Sequence, residues 1–221
     1  MRILIFHGYL LRGTGSNVYN AGLAAALRTA GHEVHLLAQD RAPEELDFVD
    51  AVGEWRDGRL EVRTLGEPVR CTVYRPDIGG LLPVYVADRY EGMTAKRFAD
   101  LSEAELDAYL EANVAAVREV AERAGPDVAL ANHLIMGPAI VARALGGAVR
   151  FAVKVHGSAL EYTVKPEPER FMPYAREGLD AANGVLVGSR HTAESLWAAM
   201  DDPGLEDRTR HGPPCPPRRG R

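Results

Sequence analysis

Short aliphatic strands alternate with amphipathic helices along this chain, and this alternation limits the fold more than any other feature. Residues 2–6 form an aliphatic run of strand type, residues 17–30 carry apolar side chains at helical spacing, and residues 32–38 return to strand character. A strand–helix–strand unit of this kind favours two parallel strands joined by a right-handed crossover. We expect Ser16 or Asn17 to cap the helix.

The same pattern returns in the second half of the chain. Ser102 and Glu105 form a capping box ahead of a helix, which Gly125 and Pro126 end. Three strand–helix pairs follow, with strands at 127–131, 149–155 and 184–187 and helices at 136–145, 168–182 and 191–200. This order predicts an α/β fold with a Rossmann-like open parallel sheet and helices on both faces.

The middle of the chain, residues 41–100, is less regular. Residues 60–65 and 69–74 have strand character, and a hairpin about Gly66 is one way to pair them. Residues 79–83 predict a loop because they begin with two glycines and end in proline.

Composition excludes several classes of protein. With 46% hydrophobic and 26% charged residues, the chain is neither a disordered tail nor a membrane bundle, and we expect no transmembrane segment. The 26 basic and 31 acidic residues give a net charge of -5, so we expect no nucleic-acid partner, whereas peripheral contact with a membrane stays open. Cys71 and Cys215 are too few for a disulfide framework, and we expect a reduced, cytoplasmic protein.

The last sixteen residues have a different composition from the rest. Residues 206–221 contain five arginines and two acids but no Leu, Ile, Val, Phe, Tyr or Trp. They predict a low-complexity, disordered tail behind a domain at 1–205. Our hypothesis is that this tail is a frameshifted or truncated end of a GC-rich gene, with a native disordered tail as the alternative.

Small and hydrogen-bonding residues follow four of the predicted strands, at the positions where open α/β sheets bind ligands. They are His7 and Gly8, Asn132 and His133, His156 and Gly157, and the run Gly188-Ser189-Arg190. We therefore expect a polar cleft at this edge. A neutral His156 is able to donate a hydrogen bond to a sugar hydroxyl, although capping of a neighbouring carbonyl is an alternative role.

The loop Gly13-Thr14-Gly15 comes immediately before the first helix, where free backbone N–H groups favour an anion such as phosphate. An ordinary turn is the alternative. The dinucleotide fingerprint fails because Val18 stands at the position of its third glycine. We expect no metal site, since His32 and His35 lie three apart on a strand and so on opposite faces.

Three segments of the chain carry a resemblance to known proteins. Residues 13–34 look like a glycine loop, first helix and second-strand start, residues 155–158 like a His-Gly loop, and residues 185–196 like a closing strand and helix. In this order and spacing they resemble family 4 glycosyltransferases of the GT-B fold, over about residues 1–205.

The resemblance implies transfer of a sugar from a nucleotide-diphosphate donor to an acceptor, with retention of configuration and without a cofactor or metal. It implies that His156 is catalytic and lies beside the transferred sugar. The residues implied to bind donor or acceptor are Gly13, Thr14, Gly15, Ser16, Asn132, His133, Gly157, Ser189 and Arg190. The family usually has adjacent glycines where this chain has Gly13-Thr14-Gly15.

Members of this family also have a second Rossmann-like domain, with a basic pair for the leaving diphosphate and two acids spaced E-x7-E. Positive charge at the leaving group contributes much of the transition-state stabilisation in such a transfer. We therefore expect this chain to be an N-terminal half that is truncated and inactive alone. Two alternatives stay open: a noncatalytic binding or regulatory half-fold, and a nucleotide-dependent oxidoreductase or epimerase with a degenerate glycine loop.

Overall fold

The computed structural model describes residues 1–13, 15–86 and 93–212. Its main sheet is built from short strands that are buried on both faces. In β1 (Arg2–Phe6), Leu4 and Phe6 belong to a hydrophobic cluster on one face, whereas Ile5 belongs to a second cluster on the other. Strands of this kind need a cover of helices on both sides.

Strands and helices alternate along most of the described chain. The strands after β1 are β2 (Glu33–Leu37), β3 (Ala51–Arg56), β4 (Arg59–Thr64), β5 (Cys71–Arg75), β6 (Leu81–Val84), β7 (Thr94–Arg97), β8 (Val128–Asn132), β9 (Phe151–Val155), β10 (Gly184–Val187) and β11 (Thr209–His211). The helices are α1 (Ser16–Thr29), α2 (Glu103–Ala124), α3 (Gly137–Leu145), α4 (Gly157–Ala159), α5 (Pro168–Ala181), α6 (Arg190–Met200) and α7 (Pro203–Arg208). A π-helical turn, Leu160–Val164, continues α4.

Nine of these strands form one sheet, in the order β11-β10-β9-β8-β1-β2-β5-β3-β4. Every neighbouring pair is parallel except β3 and β4. Strands β6 and β7 pair with each other in a separate, parallel two-stranded sheet. The predicted α/β fold with an open parallel sheet is confirmed, and the carboxyl ends of β1, β8, β9 and β10 meet at one edge.

Helices cover both faces of the sheet, as predicted. Helix α1 packs against β2 and β5 on one face, while α2 and α3 pack on the other face and α5 packs on α3. The contact between α3 and α5 is close at Gly178, where an added Cβ would lie 2.3 Å from Cβ of Pro138. Glycine is therefore required at that crossing.

The predicted helix signals near α2 are confirmed. Ser102 Oγ accepts a hydrogen bond from the Glu105 N–H at 3.2 Å, and Glu105 Oε2 accepts one from the Ser102 N–H at 2.7 Å. Gly125 follows the last helical residue with φ of 56°, in the left-handed region that closes a helix.

The middle of the chain pairs differently from the sequence prediction. The hairpin about Gly66 is wrong, because β4 pairs antiparallel with β3 while β5 lies between β2 and β3, parallel to both. The hairpin turn is Asp57-Gly58, and both residues have the positive φ that a two-residue turn of this hand requires. The loop predicted at 79–83 is also wrong in part, because β6 begins at Leu81.

The carboxyl-terminal end of the described chain extends the sheet. The boundary predicted after residue 205 falls inside α7, and β11 then pairs with β10. Leu205 is fully buried, and Trp197 Nε1 donates a hydrogen bond to Thr209 Oγ1 at 3.1 Å. Residues 206–212 therefore continue the domain, and only 213–221 of the predicted tail lie outside the described residues.

Candidate functional site

A cleft of about 600 Å³ opens at the carboxyl edge of the sheet, between the start of α1 and the ends of β9 and β10. It is lined by small, polar and hydrogen-bonding residues. They are Gly15, Ser16, Tyr19, Lys154, Val155, His156, Gly157, Ser158, Gly188, Ser189 and Thr192. The structure thus brings together Gly15, Ser16, His156, Gly157 and Ser189 from the set predicted at the sequence level.

The start of α1 forms one wall of this cleft. Gly15 takes the cap position with φ of 59°, which favours glycine, and among the described residues no side chain caps the first turn. The prediction that Ser16 or Asn17 caps the helix is therefore wrong: Ser16 is the first helical residue, and Asn17 instead donates to Arg12 O at 3.0 Å. The uncapped N–H groups of this 14-residue helix favour an anion.

The other two residues of the predicted glycine loop have different outcomes. Gly13 lies in the turn with φ of 99° and does not line the cleft. Thr14 lies outside the described residues, so its predicted contact stays a prediction.

His156 lies at the end of β9, and its ring is held in one orientation. Its Nε2–H donates to Asn132 Oδ1 at 3.1 Å, and Asn132 Nδ2 donates to Phe6 O at 3.1 Å. Burial, with smaller contributions from His7 and Lys154, lowers the pKa of His156 to about 3. The imidazole is therefore neutral at physiological pH, and its second nitrogen, Nδ1, carries a lone pair that accepts a hydrogen bond.

His156 belongs to a cluster of three buried histidines. The His133 ring centroid lies 5.0 Å from that of His156 and 5.6 Å from that of His7. Burial lowers the pKa of His7 to about 4 and that of His133 well below its usual value. All three rings are neutral near pH 7, so the cluster places uncharged imidazoles behind the cleft.

Three predicted binding residues besides Gly13 do not line the cleft. Asn132 and His133 are at most 3% exposed and lie in the interior behind the cleft rather than in its lining. Arg190 points outward with 85% of its side chain exposed and pairs with Glu194 at 2.7 Å, one turn along α6. Asn132 acts on the cleft through His156, which it orients.

Lys154 is the residue that sequence reasoning missed. It lies in β9 two positions before His156 and so projects from the same face of the sheet. It is 2% exposed, although lysine is rarely buried without a partner. A lysine inside the otherwise apolar strand Phe151–Val155 was the signal available in the sequence.

The cleft's other wall begins at α6. Ser189 caps this helix, because its Oγ accepts a hydrogen bond from the Thr192 N–H at 3.1 Å. Within the described ranges, no three or more His, Cys, Asp or Glu residues are grouped so that they could hold a metal ion.

A family comparison identifies the chain. The model of the glycosyl transferase 4-like domain matches residues 14–201, which includes the start of α1, the His156 loop and the whole of α6. This chain belongs to the glycosyl transferase 4-like family. The resemblance read from the three segments is thereby confirmed. No curated protein gives a significant match.

Solved structures share the fold of this glycosyl transferase 4-like chain at low identity. Sucrose-phosphate synthase from Thermosynechococcus elongatus matches with a TM-score of 0.56 and 17% identity, over 96% of this chain and 47% of that one. Arabidopsis thaliana UGT89C1, complexed with UDP-L-rhamnose, matches with a TM-score of 0.54 and 11% identity, over 99% and 50%. A UDP-N-acetylglucosamine 2-epimerase described as putative, from Listeria monocytogenes, matches with a TM-score of 0.52 and 14% identity, over 92% and 43%.

These likenesses show the GT-B fold and no more, because the identities are low. The glycosyl transferase 4-like chain spans half or less of the length of each of these three structures. None of its described helices combines the length and apolar character that a membrane crossing requires.

Proposed function

We propose that this chain is the acceptor-side half of a retaining glycosyltransferase that takes a sugar from a nucleotide-diphosphate donor. One observation carries the proposal: Gly15 and Ser16 at the start of α1 line the same cleft as His156 and Gly157. Family membership supports a transferase, and one structure with this fold was solved with UDP-L-rhamnose.

In this proposal, His156 binds a hydroxyl of the transferred sugar as a hydrogen-bond acceptor. Its Nε2–H is already donated to Asn132, so Nδ1 is the nitrogen that a hydroxyl proton can reach. This proposed role differs from the hydrogen-bond donation to a sugar hydroxyl expected from the sequence. Because the ring is neutral and fixed, it orients the sugar without repelling the positive charge that develops at the anomeric carbon.

The diphosphate of the donor is assigned to the uncapped start of α1. Negative charge grows on this group as the glycosidic bond to the donor breaks, and helix N–H groups stabilise such charge. The proposal needs no cofactor and no metal, since the sugar nucleotide is itself the activated substrate. The acceptor binds on the same cleft, and its chemical identity is left open.

We further infer that the rest of the donor site comes from a second domain. The chain spans 43 to 50% of three structures that share its fold, which supports the inference that it is half of a functional enzyme. On this inference, the 221-residue chain turns over no sugar nucleotide by itself.

Incubation of the purified chain with UDP-glucose, UDP-N-acetylglucosamine and GDP-mannose tests this inference. We expect no release of UDP or GDP above the rate without protein, and release would overturn the claim that the chain is inactive alone. An open frame immediately downstream that encodes E-x7-E would support the second domain. Tight binding of NAD in a calorimetric titration would overturn sugar transfer in favour of the oxidoreductase alternative.

The role of His156 is tested in the two-domain enzyme. His156→Ala should lower kcat by about 10²-fold or more if the ring orients the reacting sugar, a magnitude typical of a lost positioned group. His32→Ala, which lies outside the cleft and immediately before β2, is the matched control and should keep wild-type kcat. An active His156→Ala enzyme would contradict the assignment.

A further inference from the structure

We propose that Lys154 is a phosphate-binding residue of this cleft, and that its ammonium pairs with a phosphate group of the sugar donor or of a phosphorylated acceptor. The inference rests on the proposed function for the choice of these ligands. The binding of phosphate itself is tested without any sugar transfer.

The position of Lys154 follows from the register of the sheet. In β9 it is the direct neighbour of Asn132 in β8 and Leu186 in β10, on the face that α1 covers. Its Nζ lies 5.1 Å from the ring centre of Tyr19. A Cβ built on Gly188 would lie 3.9 Å from Nζ, and one built on Gly212, after β11, would lie 2.9 Å from it. The ammonium is therefore placed near α1 and the ends of β10 and β11, and Tyr19 and Gly188 both line the cleft.

The ammonium has no hydrogen-bond partner among the described residues, although it is buried. The other two lysines of the chain are each paired with a carboxylate: Lys96 with Glu105 at 2.7 Å, and Lys165 with Glu161 at 2.9 Å. Burial lowers the pKa of Lys154, which records how poorly this site solvates the charge. The Tyr19 ring offers a cation–π contact but no acceptor atom.

The charges around Lys154 point to an anionic ligand. Among the described residues that line the cleft, Lys154 is the one that carries a charged side chain, and none is Asp or Glu. The start of α1 adds uncapped N–H groups to the same cleft. A buried cation beside free N–H groups matches a phosphate, which carries charge and several acceptor oxygens.

The free-energy cost of burying an unpaired ammonium distinguishes a ligand-binding lysine from a lysine that stabilises the fold. A residue kept for stability loses stability when it is replaced. A buried ammonium without its ligand destabilises the ligand-free protein, so replacement by an apolar side chain of similar length should stabilise that protein.

Variants of the full 221-residue chain test both the binding and the stability cost. Lys154→Met should raise the Tm of the chain without ligand by roughly 2 to 4 °C. It should also weaken binding of inorganic pyrophosphate, followed by calorimetry or NMR, by about tenfold or more. Lys96→Met, which removes a half-buried lysine outside the cleft, is the control and should leave pyrophosphate binding unchanged. Equal pyrophosphate affinity of wild type and Lys154→Met, or no binding by either, would overturn the proposal.

Labelling of the unaltered chain keeps the test valid if the variant does not fold. The chain has three lysines, so reductive methylation followed by mass spectrometry reports each separately. Saturating pyrophosphate should slow methylation of Lys154 by about tenfold, the scale of one charge-assisted hydrogen bond, and leave Lys96 and Lys165 unchanged. An unchanged rate at Lys154 would count against the proposal.

The source of the phosphate is distinguished by two further ligands. Protection of Lys154 by UDP and not by glucose 6-phosphate identifies the donor, and the reverse identifies a phosphorylated acceptor; either supports the proposal. In the two-domain enzyme, Lys154→Met should change the KM of the donor or of the acceptor. If both KM values equal those of wild type, the role of Lys154 is overturned although sugar transfer is retained. If pyrophosphate protects Lys154 but the two-domain enzyme transfers no sugar, the role of Lys154 in phosphate binding is supported and the proposed function fails.

Discussion

Asp50 joins α1 to the start of β5 through one carboxylate. Arg28 donates to it from Nε at 2.8 Å and from Nη2 at 2.6 Å. The backbone N–H groups of Arg70 and Cys71 donate to its Oδ2 at 3.0 and 2.9 Å. The hydrogen bond from Arg28, supported by these backbone bonds, lowers the pKa of Asp50 to about 2. The folded state therefore stabilises the ionised form of Asp50.

This pKa predicts how stability changes with pH. Because the folded value of about 2 lies below the ordinary aspartate value of 3.8, the carboxylate contributes stability that is complete above about pH 5 and is lost as pH falls through 2. Urea unfolding should show that wild type loses about 1 to 2 kcal/mol more than Asp50→Asn between pH 5 and pH 2. Asp180→Asn, at an exposed carboxylate, should follow wild type. Parallel pH profiles for wild type and Asp50→Asn would contradict the prediction.

Asn132 is the second residue with a measurable task. Asn132→Ala leaves both Phe6 O and His156 Nε2–H without this partner, and we expect a loss of about 1 to 3 kcal/mol in the free energy of unfolding. In wild type, ¹⁵N NMR should show His156 as the Nε2–H tautomer, and this preference should weaken in the variant. A wild-type tautomer ratio in Asn132→Ala would show that the amide does not orient the ring.

The candidate site was predictable from the sequence only in part. His156 and Gly157 follow a strand, and a strand end at a parallel edge is enough to place them at the cleft. Lys154 was not predicted as a site residue because strand periodicity shows which side chains share a face of the sheet but not which element covers that face. For Arg190, proximity in sequence to Ser189 was misleading, since the first turn of α6 directs it outward to Glu194.

At the scale of elements, the crossing of α3 and α5 depends on Gly178. An added methyl group would lie 2.3 Å from Cβ of Pro138 and 2.9 Å from the Ala139 nitrogen, so the helices must separate. Gly178→Ala should lower the free energy of unfolding by about 1 to 3 kcal/mol, although alanine has the higher helix propensity. Chemical denaturation measures this change.

Gly66→Ala is the matched control for that prediction. Nothing lies within 4 Å of a Cβ built on Gly66, and its φ is not in the left-handed region. This variant should unfold within about 0.5 kcal/mol of wild type. Gly178→Ala with wild-type or higher stability would mean that α3 and α5 do not cross so closely.

The elements of the second half were predictable because each has its own local signals, such as the capping box at Ser102. The middle failed for a different reason. Strand β5 lies between β2 and β3 and pairs with both. This pairing depends on contacts between residues far apart in sequence, such as those of Asp50. Local propensity identified the strand and gave no information on its neighbours.

At the scale of the whole molecule, α7 and β11 complete the edge of the sheet. Leu205 is fully buried, so Leu205→Ala should cost about 2 to 5 kcal/mol in the free energy of unfolding. Leu65→Ala, at a side chain that is 37% exposed, should cost far less. If both variants cost the same in thermal and urea unfolding, α7 does not contribute its expected share to the stability of the domain.

The sheet order has a consequence for how the protein is made. Strand β1, which is synthesised before the other strands of this sheet, lies at its centre, with β2 on one side and β8 on the other. Ile3 therefore gains its second neighbour, Val128, only after residue 128 has been synthesised. Until then the backbone groups on one edge of β1 have no partner strand. The nascent domain therefore completes the centre of its sheet only when β8 is available.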